Sequence, residues 1–310
     1  MLRGTRADER GSPASRSSHA RVVRLTARFV AGAFSGLLWG MLAGYARRIV
    51  PPAHAGRALA IAMTGTPIAL AVGTPLGSWL GTTFDWRWSF GALSLLSIIT
   101  IVLAVLLVPD AAGQRAATRM SLRAVVGISG VSVILVVVFA WMLAHNIVYT
   151  YIASYLRAAG VDLPIDLALV VFGVAALVGI WITGVVIDRA LRGLVLTSIV
   201  LFIAAGGIFL LGHQSLVAVL LALALWGIAF GGAATQLQTA MGEASGANGD
   251  VANALLTVSF NLAIFAGGVT GAVLIDSHDG LVLPGVMIAL ALAALVVVLT
   301  ARRSAFPVGR

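Results

Sequence analysis

Side chains able to do acid–base chemistry are few in this 310-residue chain, and they avoid its apolar stretches. The histidine that falls inside such a stretch is His145. A lone histidine there is typical of a hydrogen-bonded structural residue, and no carboxylate is placed to carry a proton through an apolar layer. The acids lie near the N-terminus, in polar segments or at the ends of apolar runs: Asp8, Glu9, Asp85, Asp110, Asp162, Asp166, Asp188, Glu243, Asp250, Asp276 and Asp279.

The motifs do not support an enzyme. The run Gly127-Ile-Ser129-Gly130 has the form found in intramembrane serine proteases, but that reaction needs a histidine at the same depth, and His213 and His278 fall in loops. Cysteine is absent, as are the His-Glu-x-x-His zinc motif and the P-loop that cradles phosphates. We therefore predict a protein that is not an enzyme and holds no metal or cofactor.

Composition places the chain in a lipid bilayer. Hydrophobic residues make up 60% of it, charged residues 10%, and the mean hydropathy is +1.04, which leaves too little polar surface for a soluble globule. A hydrocarbon core about 30 Å thick requires about 20 apolar residues per helix. The predicted fold class is an all-α polytopic membrane protein. About nine segments qualify as spans, at 26–46, 58–81, 89–108, 124–149, 166–187, 194–212, 216–240, 251–275 and 281–301.

The arginines predict the orientation, because positively charged loops stay in the cytoplasm. One set of alternating loops, together with the C-terminal tail, holds eleven arginines, whereas the other set holds only Arg87 and Arg157. We therefore expect a multi-pass plasma-membrane protein with a cytoplasmic C-terminus. The net charge of +9 is spread over short loops, so nucleic-acid binding is not indicated. The predicted cytoplasmic arginines are Arg47, Arg48, Arg57, Arg115, Arg119, Arg123, Arg189, Arg192, Arg302, Arg303 and Arg310.

A polar segment at 109–123, the predicted cytoplasmic linker, divides the spans into three before it and six after it. Six helices form one half of many transporters, so residues 25–108 resemble a partial N-terminal bundle and residues 124–303 a complete C-terminal six-helix bundle. Residues 1–24 are rich in arginine and lack the apolar core of a signal peptide, which favours a disordered or misassigned leader. Residues 304–310 are expected to form a cytoplasmic tail.

Glycine and proline punctuate the second predicted span. Gly73, Gly77 and Gly81 recur every four residues, which places them on one helix face and predicts close contact with another helix. Proline lacks a backbone N–H, so Pro67 and Pro75 are expected to bend this helix. Small-residue stripes also occur for packing alone, so the spacing by itself leaves a packing role and a gating role open.

The same run, followed by Asp85-Trp-Arg-Trp88, resembles the fifth helix and following loop of major facilitator superfamily exporters, in particular the twelve-helix drug/proton antiporters and sugar-efflux permeases. In that family this helix is the antiporter signature. The segment Arg28-Phe-Val-Ala-Gly32 is similar to the fourth-helix Arg-x-x-Gln-Gly motif, with alanine in place of glutamine. The resemblance covers residues 25 to about 303.

Two further matches follow in the same order. The run Gly184-Val-Val-Ile-Asp188-Arg189-Ala-Leu-Arg192 resembles the cytoplasmic loop between helices eight and nine. The run Tyr149-Thr-Tyr151-Ile-Ala-Ser-Tyr155 looks like the outer end of the seventh helix. The resemblance implies that the spans are helices four to six and seven to twelve, without the family's first three.

The resemblance also implies roles for individual residues. It suggests a proton-related role for Arg28, although an arginine at a helix end can also reach the membrane interface. An ordinary positively charged loop is the alternative for the predicted cytoplasmic latch, which comprises Gly184, Asp188, Arg189 and Arg192. The predicted gating motif comprises Gly65, Pro67, Gly73, Pro75, Gly77 and Gly81.

Candidate substrate contacts are the polar and aromatic residues on helices that line the central cavity in this family. Each could instead form a hydrogen bond between helices. The candidates are Trp39, His145, Asn146, Tyr149, Gln236, Gln238, Asn253, Asn261 and Phe265.

The sequence thus predicts a secondary active transporter that exports a small organic compound of the drug or sugar type by alternating access, coupled to protons. Its expected partners are the substrate, protons and the lipid bilayer, and it is expected to be a monomer. The alternative is a truncated, transport-incompetent remnant of such a transporter. A channel finds no support, since the chain has no ring of charges or filter-like loop.

Overall fold

The structure is a computed structural model, and it describes most of the chain from residue 26 onward. The described residues are 26–27, 29–32, 34–38, 41–42, 44–46, 49–51, 61–62, 64–110, 120–302 and 305–306. Those between 26 and 46 are helical throughout.

The described elements are helices. The glycine–proline helix combines α1 (Gly65–Ile68), a π-helical turn (Ala69–Gly73) and α2 (Thr74–Thr83) without interruption. It is followed by α3 (Trp86–Leu107), α4 (Leu122–Val126), α5 (Ser129–Thr150), α6 (Ile152–Ala159), α7 (Ile165–Leu211), α8 (Leu216–Gly231), α9 (Ala233–Ser245), α10 (Gly249–Ser277) and α11 (Leu283–Thr300). Six helical stretches among the described residues are long and apolar enough to cross a membrane, in agreement with the predicted all-α polytopic class.

The longest element, α7, folds back on itself at Ala190, whose φ of −150° and ψ of 46° interrupt the helix. The Nε2 group of Gln236 donates to Thr183 Oγ1 at 3.1 Å and to Ser198 Oγ at 3.0 Å, one on each side of Ala190. Along a straight helix these two hydroxyl groups would lie about 22 Å apart, at 1.5 Å per residue. The two arms must therefore lie side by side.

The first arm, residues 165–189, and the second arm, residues 191–211, correspond to the predicted spans at 166–187 and 194–212. The loop expected between them is reduced to a turn at Ala190. Helices α8 and α9 continue one another through Gly232 and form a single apolar stretch.

The buried core lies in the C-terminal part of the chain. Helix α8 packs along α7, while α10 and α11 both pack on α5, and α11 also packs on α7. The side chains of Trp141, Phe202, Phe209 and Trp226 are almost completely buried between these helices. Helix α3, in contrast, has no buried residue in the described structure, and its apolar surface suits a position against lipid.

Each end of the bundle is named after a residue that lies there. At the first, the Gly160 end, the Tyr155 hydroxyl donates to the Phe209 carbonyl at 2.7 Å, and Gly280 lies against the Ser154 carbonyl. At the second, the Ala190 end, the turn between the arms of α7 meets the end of α11. Successive helices therefore run in alternating directions between these two ends, as expected for membrane-spanning helices joined by short loops.

Glycine brings α7 and α8 into backbone contact. A Cβ atom added at Gly231 would collide with the carbonyl oxygen of Ala176, and one added at Gly227 would collide with the carbonyl oxygen of Phe172. Such close approach is the usual purpose of two glycines four residues apart in a membrane helix. The sequence analysis did not identify this pair.

Candidate functional site

Five rings meet inside the C-terminal bundle and form what we name the aromatic cluster. Helix α5 contributes His145 and Tyr149, the first arm of α7 contributes Phe172, and α8 contributes Trp226 and Phe230. The His145 ring lies at the centre, with its centroid 3.5 Å from that of Phe230, 5.2 Å from Tyr149, 5.3 Å from Trp226 and 5.8 Å from Phe172.

The imidazole of His145 is held between aromatic faces. It is nearly parallel to Phe230, at 3°, and inclined by 24° to Tyr149. The residue is only 5% exposed, and its Nδ1 atom has no hydrogen-bond partner among the described residues. Aromatic side chains arranged in this way can stack on a planar ring, and their π faces can also attract a cation.

Helical periodicity builds the cluster. Trp141, His145 and Tyr149 follow at four-residue spacing, so they lie on one face of α5, and Trp226 and Phe230 do the same on α8. Trp141 in turn makes an edge-to-face contact with Phe230 at 6.2 Å between centroids. The rings are thus supported from within the bundle.

A second, polar site lies closer to the Ala190 end. Gln236 on α9 is 1% exposed and ties Thr183 to Ser198 through its amide nitrogen, while its Oε1 atom has no partner in the described part of the chain. Thr183 fits against Gly232, where a Cβ atom would collide with the threonine hydroxyl. The junction between α8 and α9 therefore requires glycine to admit this side chain.

The glycine–proline helix reaches the aromatic cluster through Thr74. Pro75 has no N–H to continue the regular hydrogen-bond ladder, and the chain forms the π-helical turn just before it. The backbone N–H of Thr74 bonds to the Ala69 carbonyl, and its hydroxyl lies 3.4 Å from the same oxygen. The Tyr149 hydroxyl donates to Thr74 Oγ1 at 3.3 Å.

The predicted glycine stripe is open along most of its length. Cβ atoms added at Gly65 or Gly77 would have no atom within 4 Å among the described residues, and one at Gly73 would meet only Ala69 of its own helix, at 4.0 Å. At Gly81 the position lies 3.4 Å from Ser89 Oγ on α3. Among the described residues, the close contact expected of the stripe is therefore present only at Gly81, within the hairpin that the helix forms with α3.

The start of α3 is fixed by the Asp85-Trp-Arg-Trp88 loop. The Asp85 carboxylate accepts the backbone N–H of Arg87 at 2.9 Å and caps the helix. The Arg87 guanidinium lies 4.8 Å from the centre of the Trp86 ring. In addition, the Ser89 hydroxyl donates to the Gly77 carbonyl at 2.7 Å, which ties α3 back to the glycine–proline helix.

The residues of the predicted latch separate in the structure. Arg192 donates to the carbonyl oxygens of Val298 at 3.1 Å and Phe306 at 2.8 Å, which binds the end of α11 to the second arm of α7. Asp188 and Arg189 are exposed, and the described residues provide no ion pair for Asp188. Gly184 is exposed and has open space around it.

Arg192→Gln should weaken the attachment of the chain end to the bundle. The amide cannot supply the charged donors that now reach three carbonyl groups, those of Val298, Leu299 and Phe306, so we expect a loss of about 1–3 kcal/mol in the free energy of unfolding. Thermal unfolding of the purified protein in detergent would measure it, with Arg189→Gln as the exposed control. Equal melting temperatures for the two variants would contradict the anchoring role.

The other predicted substrate contacts point elsewhere. The Asn146 amide donates to the Met142 carbonyl at 2.8 Å and packs against Gly267 of α10, and the Asn261 amide donates to the Thr257 carbonyl at 2.9 Å. Gln238 and Asn253 are buried in α9 and α10, whereas Phe265 is 69% exposed. Arg28 and Trp39 lie outside the described residues. Of the candidates among the described residues, only His145 and Tyr149 lie in the aromatic cluster.

Phe172, Trp226 and Phe230 were not predicted from the sequence. The four-residue spacing of Trp226 and Phe230 was the available signal, although it does not reveal which face of α8 is buried. No group of three or more potential metal ligands is present among the described residues.

Comparison with known proteins gives the family. A sequence model described as Major Facilitator Superfamily matches residues 20–268. The purine ribonucleoside efflux pump NepI of Salmonella enteritidis is 26% identical over 281 residues, which cover 89% of this chain and 69% of that protein. NepI of Salmonella typhimurium is 29% identical over 66% of this chain and 52% of its own length.

A third relative is named for a different compound. A chloramphenicol efflux pump of Mycobacterium tuberculosis is 30% identical over 260 residues, which cover 78% of this chain and 61% of that protein. The family match extends over most of the chain and agrees with the helical membrane architecture. This chain therefore belongs to the Major Facilitator Superfamily of membrane transporters.

Proposed function

We propose that this protein is a secondary active exporter that moves a small organic compound out of the cell in exchange for protons by alternating access. The observation that carries the proposal is the Tyr149–Thr74 hydrogen bond. It links the aromatic cluster, the best candidate for a substrate site, to the helix that resembles the gate of export-type transporters. The similarity to efflux pumps supports the direction of transport.

The aromatic cluster favours a substrate with a planar ring. Ring stacking and edge contacts with tyrosine, tryptophan and phenylalanine contribute about 0.5–1.5 kcal/mol per pair beyond the apolar area buried. Purine ribonucleosides and chloramphenicol, named for the relatives, both carry such a ring and are the first compounds to test. Sugar-type substrates would rely more on hydrogen bonds, of which the cluster offers few.

The gate and the latch belong to the same proposal. We assign the gate to the glycine–proline helix, which packs against α7 of the C-terminal bundle. We assign the latch to the Ala190 end, where Arg192 binds the end of α11. The excess of arginine at this end would place it in the cytoplasm, together with the C-terminus.

The test is transport by the purified 310-residue chain in proteoliposomes. With a proton gradient imposed, we expect radiolabelled inosine or chloramphenicol to accumulate above the level in protein-free vesicles, and a protonophore to abolish the accumulation. Vesicles that accumulate neither compound nor a wider panel of planar aromatics would overturn the proposed function.

Phe230→Leu supplies the residue-level prediction. It keeps an apolar side chain and removes the ring that lies 3.5 Å from His145. Loss of about 0.5–1.5 kcal/mol of ring contact should raise the half-saturating substrate concentration about two- to tenfold. A maximal rate that falls while the half-saturating concentration stays constant would contradict substrate contact at this ring.

A further inference from the structure

Consecutive contacts lead from the buried His145 to the glycine–proline helix. The His145 ring stacks on Tyr149, with 5.2 Å between centroids, and the Tyr149 hydroxyl donates to Thr74 Oγ1. Thr74 lies where the π-helical turn meets α2, beside the buried Pro75. One side chain, Tyr149, therefore touches both the imidazole and the helix that we assign to the gate.

Among the described residues whose rings contact His145, one is titratable, namely Tyr149 on the same helix. The first arm of α7 presents Phe172 to the imidazole, and α8 presents Trp226 and Phe230, none of which can ionise. Among the described residues, no charged side chain is in ring contact with His145. The positive charge of an imidazolium at this position would be stabilised only by aromatic faces and by water.

Burial decides which charge state suits the observed contact. An isolated charge in a dry interior costs more free energy than a desolvated cation–π contact returns. The neutral imidazole therefore fits the conformation in which Tyr149 is bonded to Thr74. The protonated form favours a conformation that admits water to His145, and separation of the glycine–proline helix from Tyr149 would provide it.

We propose that His145 is the residue that binds the coupling proton, and that Tyr149 and Thr74 transmit its charge state to the glycine–proline helix. Protonation opens the contact between that helix and the C-terminal bundle, and deprotonation restores it. The proton binds an imidazole nitrogen from the outside in the open state and is released to the cytoplasm as the contact reforms, and no other covalent bond changes. This inference rests on the proposed proton-coupled export, in which the open state takes up the proton outside.

The test measures the opening without any substrate. The chain contains no cysteine, so Thr83→Cys and Ala158→Cys introduce two exposed attachment sites for spin labels, one on each side of the contact. Pulsed electron paramagnetic resonance on the full chain in lipid nanodiscs would give the distance distribution at about pH 5 and about pH 8. We expect the ratio of the longer to the shorter distance to rise about fivefold or more at the lower pH.

Variants test whether the pH-dependent change in distance depends on His145. His145→Phe keeps the stack and removes the titration, so its distance distribution should not change between the two pH values, and His145→Gln provides a second variant if the first melts early. Tyr149→Phe keeps the ring and removes the hydrogen bond to Thr74, so its response should shrink. His213→Gln and His278→Gln, which lie outside the cluster, should respond like the parent protein.

The outcomes separate this inference from the proposed function. A parent protein with identical distributions at both pH values, or a His145→Phe variant as responsive as the parent, would overturn the role of His145. Opening that depends on His145 in a protein that exports none of the tested compounds would support the proton site and count against the proposed function. Proton-driven export that survives in His145→Phe would support the proposed function and count against His145 as the proton site.

Discussion

A single methyl group at Gly231 should destabilise the whole C-terminal bundle. The added Cβ atom would collide with the carbonyl oxygen of Ala176 and lie 2.7 Å from its Cα atom, and backbone atoms of a packed helix cannot move aside as a flexible side chain can. Overpacking of this kind costs about 1–3 kcal/mol. Gly231→Leu should go further and reduce the yield of folded protein.

Gly207→Ala is the matched control for this experiment. Gly207 lies in the second arm of α7 with open space around its Cβ position, so alanine there should be neutral or should raise stability by up to about 1 kcal/mol through helix propensity. Melting temperatures in detergent should therefore fall in the order Gly207→Ala, parent, Gly231→Ala. Equal melting of the two alanine variants would show that α7 and α8 do not meet at Gly231.

The comparison of glycine stripes shows what spacing alone can predict. Gly227 and Gly231 have the same four-residue spacing as Gly73 and Gly77, yet only the first pair lies against another helix backbone in the described structure. Spacing establishes that the residues share a face of the helix. It does not establish whether that face meets protein, lipid or open space, because that depends on where neighbouring helices lie.

From residue 86 onward the membrane-spanning helices were predictable, because mean hydropathy over about 20 residues is insensitive to single positions. The candidate site was less predictable, because it depends on the direction in which each side chain points from its helix axis. Asn146 directly follows His145 but is rotated by about 100° from it, and so packs towards α10 and away from the rings. A list of polar residues on the correct helix therefore mixes both faces.

Aromatic residues in apolar runs show the same limit. Trp226 is 1% exposed and lies in the aromatic cluster, whereas Trp181, in an equally apolar stretch, is 69% exposed. Both positions are compatible with tryptophan, since its ring is stable in a protein core and against lipid. Tertiary packing distinguishes them, although the four-residue repeat Trp141, His145, Tyr149 is a sequence pattern compatible with one ring-lined helix face.

Leucine at Gly73 or Gly77 should strongly reduce export while leaving folding intact. In the described structure neither Cβ position meets an atom of another helix, so the side chain can be accommodated and the bundle should melt normally. During the transport cycle, however, a gating helix must close against a partner, and small residues are what allow helices to approach closely. A leucine on this face would hold the two surfaces apart.

We expect the initial rate of export to fall about tenfold or more, which corresponds to about 1.4 kcal/mol of lost closure. Gly91→Leu is the control, because Gly91 is an exposed glycine on α3 with equally open space around it and lies outside the motif. Insertion, melting temperature and export would be measured on the same preparations. Unchanged export would place the stripe against lipid, whereas loss of folding together with export would assign it to packing, so only the loss of export from a normally folded variant supports a gate.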